Sequence, residues 1–262
     1  MKLENIKALI MDMDGVLWRN ETPINGYAQL FSYLNRSKTP YILATNNSAK
    51  TELEYQSKVR RLGAEIKAEQ VLTSGRASIN YLSTVLAKGD KVYVIGSSSF
   101  KAMTEEAGFV LSEENAKAVL VGIDFELNYQ KLQIASLNVC QGALFIGSNP
   151  DKAFPVEQGI SPGNGATLAA IEAATGVKAK IIGKPEPTMF EQALELMVVD
   201  AESTLMIGDR LETDILGAQK IGIKTALVLS GICRKEDLEQ SAIQPDFIFE
   251  DIADFLEHYK SV

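Results

Sequence analysis

Acidic residues fall where apolar runs end. Asp12 and Asp14 follow the run Ala8–Met11 at spacing i, i+2, which in a strand puts both carboxylates on one face at its carboxyl end. Gly15 permits a sharp turn directly after them. Two carboxylates that close repel, and a bound cation resolves the repulsion; hard oxygen ligands with room for water and a phosphate suit Mg²⁺. Taken alone, a DxDG segment also suits an acidic surface turn. That bland reading weakens at Asp209, which closes the apolar run Thr204–Ile207 through Gly208, with Asp214 following at the start of a helical stretch. Asp214 by itself reads equally well as an acid in a helical first turn.

Two further segments supply what a phosphoryl group needs besides a metal. Thr45-Asn46-Asn47-Ser48 follows the run Tyr41–Ala44 and offers hydroxyl, amide and backbone N–H donors, although alone it suits a polar loop or helix cap. Lys184 follows Lys180–Ile182 and Gly183, in a segment stiffened by Pro185 and Pro187. A lone lysine at a strand end is ordinarily a solvated surface charge.

The elements that would position these residues come from alternation. Short apolar runs, among them Val92–Ile95, Ala118–Val121, Ala143–Ile146, Thr225–Leu229 and Phe247–Phe249, alternate with amphipathic stretches such as Gly26–Arg36, Thr51–Leu62, Ser74–Leu86, Tyr129–Val139, Ala166–Ala174 and Asp214–Ile221. This pattern predicts an α/β fold with mainly parallel sheet covered on both faces. In such sheets ligands sit beyond the carboxyl ends of the strands, where the four segments above fall. A chain of 262 residues is long enough for two domains. The 26 basic and 34 acidic residues leave a net charge of −8, which disfavours a nucleic-acid partner and requires a local cation for an anionic substrate. Cys140 and Cys233 lack metal-ligand spacing and read as buried small apolar residues. The N-terminal segment matches neither a signal peptide nor a membrane span, so cytoplasmic residence is expected. His258, the single histidine, reads as a helix-end surface residue, which argues against histidine catalysis.

In chain order, Asp12-Met13-Asp14-Gly15, Thr45-Asn46, Lys184 and Gly208-Asp209 through Asp214 resemble the motifs of the haloacid dehalogenase superfamily. The resemblance implies a Rossmann-like, doubly wound parallel-sheet core and roles residue by residue. Asp12 would be the nucleophile that forms an aspartyl phosphate, and Asp14 the acid/base that protonates the leaving alcohol and then activates water. Mg²⁺ would be held by Asp12, Asp14 through its backbone carbonyl, and Asp209, with Asp214 a ligand or a nearby support. Thr45, Asn46 and Lys184 would bind the phosphoryl oxygens, and Lys184 would keep Asp12 ionised. Dehalogenases lack the second aspartate because a halide leaves without a proton, so Asp14 points to a phosphatase.

The long interval between Asn46 and Lys184 requires a second domain. Its alternating elements, with Phe145-Ile146-Gly147-Ser148-Asn149-Pro150-Asp151 and Pro162-Gly163-Asn164-Gly165, look like the NagD-like, 4-nitrophenyl phosphatase subfamily with an α/β cap. The resemblance implies a catalytic core in residues 1–75 and 180–262, a cap in 76–179, and substrate-binding cap residues Asn149 and Asp151, a loop that reads equally as an Asx-Pro turn. Pro162–Gly165 reads as a turn feeding a helix. Trp18 and Arg19, just past the DxDG turn, suit either the border of the site mouth or simple packing and solvation there, with packing the preferred reading. The expected partner is a small phosphate ester rather than nucleic acid or membrane, and the chain is expected as a monomer or homo-oligomer, a dimer through the cap among the options. Rival readings are a phosphomutase, a non-catalytic metabolite-binding protein on the same fold, and a phosphotransfer receiver, the last disfavoured by the chain's length and the placement of DxDG on the first strand.

Overall fold

The computed structural model of the chain describes residues 3–156 and 158–260. It divides into two compact units: Met1–Thr45, Glu52–Leu72 and Lys184–Val262 form the first, and Asn46–Thr51 with Thr73–Gly183 the second.

The first unit is built on a six-stranded sheet in the order Phe247–Phe249, Lys224–Val228, Thr204–Gly208, Ala8–Met11, Tyr41–Thr45 and Val71–Thr73. The pairs from Phe247–Phe249 across to Tyr41–Thr45 are parallel. Every residue of Ala8–Met11, Tyr41–Thr45 and Thr204–Gly208 is buried, the condition of central strands covered on both faces. Register sets the site. Met11 lies level with Ile207 on one side and Leu43 on the other, so the residues that follow on all three strands emerge together at one sheet edge. Helix Tyr27–Ser37 buries Tyr27, Leu30, Phe31 and Leu34, at helical spacing, into a core shared with Leu9, Met11, Trp18 and Phe255.

The second unit carries a five-stranded parallel sheet in the order Lys180–Ile181, Leu144–Gly147, Ala118–Val121, Lys91–Ile95 and Val110–Leu111. An antiparallel hairpin, Ala153–Val156 with Gly159–Pro162, precedes helix Asn164–Thr175, so Pro162–Gly165 does feed a helix.

Two expectations need correction. Cys140 is exposed, because it ends helix Tyr129–Cys140 on the face away from buried Ala135 and Val139; only Cys233 is buried. The stretch Asp214–Ile221 is not one regular helix: a π-helical turn, Leu211–Ile215, widens the backbone before the short helix Leu216–Gln219. The short strands Val71–Thr73, Val110–Leu111 and the hairpin pair carry too few residues to show a period.

Candidate active site

Asp12 leaves the central strand with its backbone N–H donating to the Ile207 carbonyl at 2.9 Å, which ties it to the neighbouring strand that delivers Asp209. Carboxylate oxygens of Asp12, Asp209 and Asp214 all lie within 4.8 Å of one another. Lys184 is buried beside them. Its Nζ donates to Asp12 Oδ1 at 2.8 Å and to the Ala44 carbonyl at 3.0 Å, and pairs with Asp214 Oδ1 at 2.7 Å. Burial opposes the lysine's charge, but the two carboxylates outweigh it and raise the pKa, so the ammonium is permanent at any working pH.

One lysine does not balance three acids. Burial first, then the charges of Asp12 and Asp214, push the Asp209 carboxyl up to about 7, against the Ile232 N–H and Arg210. Burial likewise raises Asp214 despite Lys184. Asp209 Oδ2 accepts from Ile232 N at 2.9 Å, whereas the buried Oδ1 has no hydrogen-bond partner among the described residues. A buried, unpartnered carboxylate oxygen amid other carboxylates fits a hard divalent cation of the Mg²⁺ type, which would be held by Asp12 and Asp209 with Asp214 alongside. Asp14's side chain is outside this cluster. It is exposed, and its Oδ1 accepts from Trp18 Nε1 at 2.8 Å.

Glycine makes the room. A Cβ on Gly15 or Gly231 would strike the Asp209 carboxylate, and one on Gly208 would strike Asp214. Gly15 also adopts φ +86°, which a larger residue resists. Thr45 ends its strand buried and shares a hydrogen bond with Tyr55, whose hydroxyl pKa is raised by burial and then by the Asp14 charge. Gly231 and Tyr55 were not singled out from the sequence; Gly231 lies just past the run Thr225–Leu229, a strand end open to the same inspection as the others.

The remaining residues singled out from the sequence form a polar cluster within the second unit. Asn46 Nδ2 lies 3.3 and 3.4 Å from the two Asp151 oxygens. Asn149 is buried, donates Nδ2 to the Asn46 carbonyl at 2.7 Å, and accepts from Asp151 N at 3.1 Å, which is the Asx turn. Asn164 donates to the Asn149 carbonyl at 2.8 Å, a support not seen from sequence. Asn149 therefore spends its amide on the backbone, while Asp151 keeps a half-exposed carboxylate.

The acidic cluster sets a pH dependence. An Asp209 pKa raised in the folded state means that the metal-free fold holds its proton more tightly than the unfolded chain. The associated stability is present below the ordinary aspartate range and is lost as pH rises through about 7. Chelator-treated protein should therefore melt roughly 5 °C lower at pH 8 than at pH 5, and Mg²⁺ should raise Tm more at pH 8, since cation and proton compete for the same oxygens. An equal Mg²⁺ increment at both pH values, read by calorimetry, would count against the acidic cluster as the binding site.

Comparisons with known proteins accord with this geometry. The profile described as haloacid dehalogenase-like hydrolase matches residues 9–110, and a second HAD-hydrolase-like profile matches residues 181–255. An acid sugar phosphatase of Staphylococcus aureus is 36% identical over 251 residues, covering 95% of this chain and 96% of the relative. The solved 4-nitrophenylphosphatase of Thermotoga maritima superimposes with a TM-score of 0.93 at 32% identity, over 97% of this chain and 98% of the other. NagD from Escherichia coli K-12 gives 0.89 at 31% identity, over the same shares, 97% and 98%.

Proposed function

The chain belongs to the haloacid dehalogenase-like hydrolases, in their NagD-like, 4-nitrophenyl phosphatase branch, and is a phosphatase; from that premise we propose that it hydrolyses small phosphate monoesters with Mg²⁺ through a phosphoryl group carried on Asp12. The observation that carries this reading is the placement of Asp12, pinned by Lys184 at 2.8 Å and flanked by Asp209 and Asp214 within 4.8 Å.

When bound, Mg²⁺ supplies charge neutralisation for the phosphoryl oxygens and for the crowded acids. Asp12 attacks phosphorus through one carboxylate oxygen and becomes an acyl phosphate, which splits one hard displacement into two easier ones. Lys184, fixed by three oxygens, faces the same group as a permanent positive charge. The Thr45 hydroxyl, at the end of its strand, gives a donor to the remaining oxygens. Asp14 protonates the departing alcohol and, as carboxylate again, takes a proton from the water that cleaves the acyl phosphate. Asp12 and Asp209 would hold the cation with Asp214 alongside, where the Arg210 N–H fixes Asp214 Oδ2 at 3.1 Å.

The second unit, which contains residues 76–179, is proposed as the cap that selects the ester. Sugar phosphates and 4-nitrophenyl phosphate head the substrate list, because relatives carry those names and because a fixed carboxylate, Asp151, suits donation from sugar hydroxyls. A small-molecule ester in the cytoplasm also accords with the net charge of −8, which opposes a polyanionic substrate. No helix among the described residues is long and apolar enough to cross a membrane.

A phosphate-release screen over sugar, nucleotide, glycerol and nitrophenyl phosphates, with and without Mg²⁺, tests the assignment. Asp151→Ala should shift relative kcat/KM between sugar phosphates and nitrophenyl phosphate by about 10-fold to 100-fold, the consequence of losing one partner of a charged hydrogen bond. Asn149→Ala should shift it in the same direction by releasing the loop. An unchanged ranking in both folded variants would remove this loop from selection, and release without any divalent cation would remove Mg²⁺.

A further inference from the structure

We propose that Trp18 is the positioning residue of the general acid, and that Lys58 stacked on its indole strengthens the hold. The inference rests on the reading of Asp14 as acid/base. Trp18 is fully buried, yet its single polar group is directed at an exposed carboxylate: Nε1 donates to Asp14 Oδ1 at 2.8 Å. A buried indole N–H must find an acceptor, and the local backbone leaves it this one. Gly15, at φ +86°, turns the chain so that its N–H donates to the Trp18 carbonyl at 2.8 Å, and Asp14 and Trp18 come side by side as a bridged pair.

The indole is itself immobilised. Tyr27 packs edge-on against it with ring centroids 6.4 Å apart, and Leu17, Leu30 and Phe31 belong to the same core. On its face sits Lys58, whose Nζ is 4.5 Å from the ring centroid and whose side chain is only 9% exposed. Nζ is placed by the Asn20 carbonyl at 2.8 Å and by Glu21 at 3.5 Å, not by a phosphate site. An ammonium over the ring draws on its π electrons and polarises the N–H toward its acceptor.

The consequence for the reaction is directional. With Oδ1 committed to the indole, the proton delivered to the leaving oxygen is carried on Oδ2, and the carboxyl cannot rotate away between the acid step and the base step. A carboxyl that rotates freely spends part of its time misaligned, a loss felt in phosphoenzyme formation only when the leaving group needs the proton.

Trp18 is the only tryptophan in the chain, so growth of a tryptophan auxotroph on benzothienylalanine replaces this ring alone with one of nearly the same shape lacking the N–H. With Mg²⁺ saturating, the single-turnover rate of phosphoenzyme formation from an alkyl phosphate should fall about tenfold, whereas that from 4-nitrophenyl phosphate should change less than about twofold. Lys58→Met, which keeps the stem and removes the charge, should show the same bias at smaller size. Equal losses on both esters, or none, in the benzothienyl protein and in Lys58→Met would overturn the inference. Asp14→Asn measured in the same single-turnover way separates the layers: a leaving-group bias there without one in the benzothienyl protein sinks the Trp18 assignment alone. No bias in Asp14→Asn sinks the acid assignment and this inference with it.

Discussion

Asp12→Asn should lower turnover by at least about 10⁴-fold, the scale on which removal of a nucleophile is felt. The amide keeps the shape of the side chain but offers phosphorus no anionic oxygen. Lys184 retains the Asp214 carboxylate and the Ala44 carbonyl as partners, so the loss is chemical and the chain should melt cooperatively as before. The assay is steady-state phosphate release at saturating Mg²⁺ on a preparation verified by mass for deamidation, since reversion to aspartate would restore activity. Turnover within about tenfold of the parent protein would take Asp12 out of the nucleophilic role.

Lys184→Met should be nearly as damaging, through a different cause. The lysine is the one cation in direct contact with Asp12 and Asp214 among the described residues, and all three groups are screened little by water. Removing one partner of a buried ion pair costs roughly 3–5 kcal/mol, because the remaining charges stay buried and unpaired. Metal-free Lys184→Met should therefore melt well below the parent protein, and Mg²⁺ should recover much of that stability. Turnover should stay about 10³-fold down, since the cation does not replace the ammonium facing the phosphoryl oxygens. Near-normal turnover in the Mg²⁺-stabilised variant would show that Lys184 serves only to balance charge.

Much of this site was readable from the order of residues because chemistry and sheet geometry converge on the same positions. Carboxylates placed after buried apolar runs have nowhere to go but the carboxyl edge of a parallel sheet, so Asp12 and Asp209 could be paired before any register was known. Lys184 was the hardest of the four to credit, since a lysine after a strand is ordinarily a surface charge; only its burial against Asp12, Asp214 and the Ala44 carbonyl distinguishes it.

What stayed hidden depended on turns and on partners distant in sequence. The bond from Trp18 to Asp14 needs the left-handed Gly15 and the backbone bridge around it, and no periodicity encodes these. Gly231 clears space for an acid 22 positions earlier, which neither segment announces by itself. Of the two readings of Asn149-Pro150-Asp151, the structure shows the turn: Asn149 closes an Asx turn, and that turn presents Asp151 to Asn46. Cys140 was misplaced because a residue type often found buried says nothing of which side of the last helical turn it occupies.

The central claim is a covalent phosphoryl group on Asp12, and Asp14→Asn is the variant in which to look for it. With 4-nitrophenyl phosphate the leaving group departs with little acid help, while loss of the base should stall the second step, so the intermediate should accumulate. Acid quench during the first turnovers, borohydride reduction and peptide mass spectrometry should find Asp12 converted to homoserine in near-stoichiometric amount, with a matching burst of nitrophenolate. A burst of nitrophenolate with Asp12 unmodified, or with the reduced residue elsewhere in the chain, would contradict the account.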